Sequence, residues 1–143
     1  MLTISVSPCG PSSVAKALGQ MVEKDNFQRP TVVFLDGDEA PAPGCNMIPG
    51  NDAPEKVVFT SIRSGNLFDV PTRLSRAYAD VWEAMETATT LPDHHDWVSS
   101  VSNDLRVPPE TVWQVLASEW VHKAMTPNER RSITDPISAV YPD

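Results

Sequence analysis

The chain has 143 residues, 41% hydrophobic and 21% charged, a composition that supports a globular domain with a real core. Its formal net charge of -8 argues against unaided binding to a phosphate backbone, which takes clustered Lys and Arg. A metal-dependent nuclease stays open, because bound ions and a partner chain can supply the positive charge.

Leu2 to Val6 alternates apolar and polar residues and predicts a half-buried strand. Pro8-Cys9-Gly10-Pro11 ends it. Ser12 or Ser13 then caps a helix that is expected to turn Val14, Ala17, Leu18, Met21 and Val22 toward the core. After a polar link over residues 25–30, Thr31-Val32-Val33-Phe34-Leu35 reads as a parallel strand covered on both faces, which implies a right-handed strand–helix–strand crossover. A loop rich in Pro and Gly follows over residues 40–51, and Asp52 with Pro54 starts a helix through Ile62. The remaining chain is expected to be helical, over residues 73–87, 93–105 and 109–125. Thr126-Pro127-Asn128-Glu129 forms a capping box that opens one more helix. The four tryptophans lie in this half at helical spacing and read as packing residues. Two cysteines, Cys9 and Cys45, lack metal-ligand spacing and evident pairing, which points to a reducing, cytoplasmic compartment. No apolar run is long enough to span a membrane, and no signal peptide is evident.

The chemistry concentrates at Asp36-Gly37-Asp38. Ligand sites of parallel sheets sit at the carboxyl ends of strands, and an apolar strand ending in Asp36 delivers a carboxylate there. Gly37 permits a sharp turn, and Asp38 brings a second acid to the same edge. Mg²⁺ prefers oxygen ligands of this kind and keeps several waters. A plain Asp-Gly turn accounts for one acid and the glycine, not for two acids directly after a buried strand.

The segment Val32-Val33-Phe34-Leu35-Asp36-Gly37-Asp38 resembles the DxD strand of a Toprim fold, as found in topoisomerases, primases and OLD-family nucleases. Cys9-Gly10 followed by Ser12-Ser13-Val14 is similar to the strand–Gly–helix unit that precedes DxD in OLD-type domains. Pro49-Gly50, Pro54-Glu55 and Val57-Val58 resemble the segment after DxD in AAA-type ATPases with a C-terminal Toprim domain, and the tail around His94-His95-Asp96-Trp97 resembles their end. The resemblance implies metal-dependent phosphodiester cleavage. Asp36 and Asp38 would be the catalytic acids and would hold Mg²⁺ or Mn²⁺, with Glu55 as a further metal carboxylate. Lys56 reads as an exposed helix residue. The family places an essential glutamate on an earlier strand. The first predicted strand here corresponds to the family's second, and Glu23, late in the first helix, cannot stand in. Asp36 and Asp38 are therefore expected to be half of a site, either completed within a longer ATPase–nuclease or by a partner chain, or left in a reduced relative that has lost activity, with little or no cleavage by the isolated chain.

Two other families place DxD after an apolar strand. Haloacid-dehalogenase-type phosphatases usually have Thr or Val where Ala40 stands, and need a later Lys and acidic pair, whereas Asp135 is alone. Metal-binding glycosyltransferases are generally longer. Asp93 is a natural cap, so His94, His95 and Asp96 are expected in an exposed first turn. Adjacent helical residues diverge, which disfavours chelation. His122 is assigned no chemistry, and Cys9 reads as a small buried residue.

The expected architecture is α/β: a small parallel sheet of Toprim type lacking its first strand–helix unit over residues 1–65, then an all-helical region over residues 66–143. The expected function is the DxD-bearing part of an OLD-type DNA endonuclease acting with an AAA- or ABC-type ATPase, in the cytoplasm, in antiviral defence, reaching DNA through the complex and possible as an oligomer. The alternative is a non-catalytic module that docks on a partner protein through its Trp-bearing helices.

Overall fold

The computed structural model describes residues 4–141, which fold as a mixed α/β, mostly helical chain with one two-stranded parallel sheet. They divide into two compact units, one holding the residues up to Asn51 together with those from Arg131, the other residues 52–130.

In the first unit, α1 (Ser12–Glu23) packs beside β1 (Val33–Leu35) and β2 (Cys45–Met47). The strands pair in parallel with Val33 opposite Cys45, Phe34 opposite Asn46 and Leu35 opposite Met47. β2 lies inside the stretch expected to be a loop. It forms through its pairing with β1: beyond the strand the Ile48 N–H donates to the Leu35 carbonyl at 2.8 Å, and the Asn46 side-chain amide donates to the Val33 carbonyl at 3.3 Å. Residues 36–44 join the two strands without a helix.

Parallel strands usually need a crossover of a dozen or more residues, and the predicted one ran through α1. That crossover is not the one observed. Leu2 and Thr3 lie outside the described residues, while residues 4–7 make no strand, and Ile4 and Val6 are 56% and 90% exposed. Both side chains stay largely exposed among the described residues, so the burial that would drive pairing is missing.

The buried face of α1 also differs from expectation. Ala15 and Gly19 are buried, with Leu18 and Val22 packed at the core's margin, whereas Val14 and Met21 face outward. The reason is steric. A Cβ on Gly44 would lie 1.8 Å from the Gly19 carbonyl oxygen, and one on Gly19 would lie 2.3 Å from Cys45 Sγ. The helix therefore approaches the loop through its smallest residues, and Gly44 holds φ +71°, which favours glycine. The small core here is Ala15, Val33 and Leu35.

The second unit is helical: α2 (Pro54–Ser64), α3 (Val70–Leu74), α4 (Tyr78–Ala88), a 3-10 turn (His94–Asp96), α5 (Trp97–Leu105), α6 (Pro109–Glu119) and a π-helical turn (Trp120–Ala124). α7 (Pro127–Val140) starts here and carries Pro136 inside it. The core is Val58, Phe59, Ile62, Leu67, Val70, Val81, Met85, Val101, Val112 and Leu116. The helix expected over residues 73–87 is two helices, because Ser75 is left-handed (φ 53°) and ends α3. Before α3, Asn66, Leu67 and Phe68 are consecutively left-handed. Each such non-glycine residue costs about 1–2 kcal/mol, offset here by complete burial of Leu67 and by its N–H donating to the Ile62 carbonyl at 2.9 Å.

The capping box is present as expected: Thr126 N–H donates to Glu129 Oε1 at 3.1 Å, and Glu129 N–H to Thr126 Oγ1 at 3.2 Å. Charged side chains close other helix ends. Arg76 donates to the Leu105 and Arg106 carbonyls at 2.8 and 3.3 Å, and Arg130 donates to the Val121 and His122 carbonyls at 3.1 and 2.8 Å. No described helix is long and apolar enough to cross a membrane.

Candidate functional site

The carboxyl end of β1 carries the acidic pair. Val33 and Leu35 point into the core beneath α1, and Phe34 points to the opposite face. The strand then stops in a turn, with the Glu39 N–H donating to the Asp36 carbonyl at 3.1 Å. Asp36 and Asp38 both stand exposed on this turn. Gly37 is not among the glycines with positive φ, so the backbone conformation alone does not call for glycine there. A third acid joins them that the sequence reading did not single out. Glu39 Oε2 meets Lys16 Nζ of α1 at 3.2 Å, which ties the turn to the helix and brings a cation to it. Oxygen donors on a hydrated turn suit a hard divalent ion that retains waters.

Beside β1 lies a groove of about 440 Å³, walled by residues such as Ile4, Val6, Leu18, Val33, Phe34 and Ile137. β1 has β2 as its only strand neighbour among the described residues.

Glu55, expected as a further metal ligand, belongs to the second unit. It sits in the first turn of α2, and its carboxylate lies 3.6 Å from His95 Nδ1. His94 completes a cluster in which one ligand atom of each residue lies within 4.8 Å of the others. The expectation for His94 and His95 was capping or packing. Asp93 does cap the turn, accepting the His95 N–H at 2.9 Å, and both imidazoles stand beside Glu55, with ring centroids 4.2 Å apart. Lys56 pairs at 3.9 Å with Asp52 on the exposed side of α2.

The strongest electrostatic cluster of the second unit surrounds Glu119, which is 4% exposed. Its carboxylate accepts from Arg73 at 3.0 Å, from the Asp69 N–H at 3.5 Å and from Lys123 at 3.1 Å, and Lys123 also pairs with Asp69. Burial alone would raise the Glu119 carboxyl; the hydrogen bonds from Lys123, Arg73 and Asp69 outweigh it and hold the group below its ordinary value. Hydrogen bonds to Asp69 and Glu119 push the Lys123 ammonium up. Every charge in this cluster is matched, so it reads as a brace between α3 and α6.

Burial pushes the Cys45 thiol up, against the opposing charge of Lys16, and its Sγ donates to the Ala15 carbonyl at 3.5 Å. A thiol so held is a poor nucleophile. Three of the four tryptophans are engaged internally. Trp97 donates to the Leu91 carbonyl at 3.0 Å and packs 5.3 Å from Phe59, Trp82 lies under Arg63 at 5.2 Å, and Trp120 is buried.

No family model, no curated protein and no solved structure matches the chain.

Proposed function

We propose that the chain is the DxD-bearing part of a Toprim-type, Mg²⁺- or Mn²⁺-dependent DNA endonuclease of the OLD kind, working in the cytoplasm with an ATPase and in defence against foreign DNA. The observation that carries this reading is the pair of exposed carboxylates, Asp36 and Asp38, on the turn that closes the buried strand β1. Asp36 and Asp38 would hold the ion, which would supply an activated water and charge stabilisation at the scissile phosphate. Lys16, tied to Glu39, contributes a fixed positive charge at the same turn.

The acids are half of the site. A glutamate on a further strand completes it, and the groove along the open side of β1 favours delivery of that strand from another segment or a partner chain. The same groove would serve a non-catalytic module that docks on a partner. DNA is reached through the complex, since the chain's net charge of -8 repels it.

The test is Mg²⁺- or Mn²⁺-dependent nicking of plasmid DNA by the chain, alone and with its ATPase partner, alongside Asp36→Ala and Asp38→Ala. The expected result is nicking only by the wild-type complex, with each substitution lowering the rate at least about a hundredfold. Equal nicking by all three chains removes the nuclease reading. Complex formation and biological output unchanged by Asp36→Ala establishes the docking module instead.

A further inference from the structure

A second donor cluster is independent of the acidic pair and calls for a different ion. Glu55, His94 and His95 each present one ligand atom, all mutually within 4.8 Å. An ion pair between Glu55 and His95 accounts for one imidazole at 3.6 Å. It leaves unexplained why His94 shares the same spot. Neighbours on a helical backbone diverge, by about 100° in an α-helix and about 120° in a 3-10 turn, so convergence of the two imidazoles must come from their side chains. The residues form a 3-10 turn capped by Asp93, and in it the two rings do converge, with 4.2 Å between centroids.

The elements that carry the donors are held from below. Phe59 of α2 packs on Trp97 at the start of α5, and the Trp97 indole donates to the Leu91 carbonyl. These contacts anchor the first turns of α2 and of the His94–Asp96 segment to the same core, so the donors sit on rigid supports.

We propose that Glu55, His94 and His95 form a binding site for a borderline divalent transition ion, with Zn²⁺ the best fit. Two imidazoles and a carboxylate suit Zn²⁺, whereas Mg²⁺ prefers oxygen donors alone. Bonds of about 2.0–2.2 Å place tetrahedral ligands roughly 3.3–3.5 Å apart. The cluster reaches that spacing by small side-chain rotations, for which His95, with 68% of its side chain exposed, has room. The same exposure leaves a fourth position to water, so the ion stitches the 3-10 turn to α2 and keeps one open coordination site.

The test uses the full chain in millimolar Mg²⁺. Zn²⁺ is titrated calorimetrically, and Co²⁺ is substituted to read its visible absorption. The expected result is one Zn²⁺ per chain, an intense Co²⁺ spectrum of low coordination number, and a metal-dependent rise in Tm. His94→Ala and His95→Ala each weaken binding at least about tenfold, and Glu55→Gln does so by a similar factor. The double substitution of Asp36 and Asp38 by Asn leaves Zn²⁺ binding unchanged, which separates this site from the nuclease reading. Metal-free circular dichroism shows that each variant is folded. Absence of Zn²⁺ binding by the wild type, or unchanged binding after His94→Ala with His95→Ala, overturns the proposal.

Discussion

Glu119 shows how a single acid can hold several elements together. It accepts from the side chains of Arg73 and Lys123 and from the backbone of Asp69. Its folded value lies below its unfolded one, so the stability it contributes is present above the ordinary carboxylate range and is lost as pH falls through the depressed folded value. Glu119→Gln is expected to cost about 1–2 kcal/mol at neutral pH, below the roughly 3–5 kcal/mol of a fully buried pair because Arg73 and Lys123 stay partly hydrated. It should also flatten the acid limb of the stability profile, as measured by urea unfolding across pH. The brace could not be read from the sequence, since Asp69 and Arg73 lie some 50 positions from Glu119 and Lys123. Asp36 and Asp38 could, because a strand end is a local pattern. The pairing of Glu55 with His94 and His95 could not, because the 3-10 turn and its approach to α2 depend on Phe59 and Trp97.

At the level of elements, the contact between α1 and the β1–β2 loop depends on two glycines. Gly44→Ala places a Cβ on the Gly19 carbonyl and forces a side chain into a left-handed position. The expected cost is at least about 2 kcal/mol, combining the conformational penalty with overpacking. Gly19→Ala meets Cys45 Sγ and the Pro43 carbonyl and is expected to be destabilising in the same range. Thermal melts of the two variants check both values. Apolar periodicity located α1 but misplaced its buried face, because close approach through Gly19 outweighs the burial that Val14 and Met21 would gain. β1, α2 and the capping box at Thr126 were legible, since each rests on neighbours in sequence. β2 was hidden by the Pro- and Gly-rich composition around it and exists through its pairing with β1.

For the whole molecule, core size separates the two units. The second holds large, fully buried side chains, among them Phe59, Ile62, Leu67, Met85 and Leu116, while the first relies on Ala15, Val33 and Leu35. Amide hydrogen exchange is expected to be slowest at Val58, Phe59, Ile62, Met85 and Leu116. It should be markedly faster, by at least about a hundredfold, along β1 and β2, because opening free energy follows buried apolar contact. Uniform protection across both units would contradict that ranking. The candidate acids therefore belong to the less stable unit, where an ion or a partner strand has the most to add.

The short, helix-free connection over residues 36–44 has one further consequence. The acids stand at its start and Gly44 at its end, and the loop is tied to α1 at both places, by Lys16 to Glu39 and by Gly19 to Gly44. A strap clamped twice has little slack. The entropy of bringing Asp36 and Asp38 onto one turn is spent when α1 docks, so under the proposed function the helix would be the template on which an ion's coordination is cast.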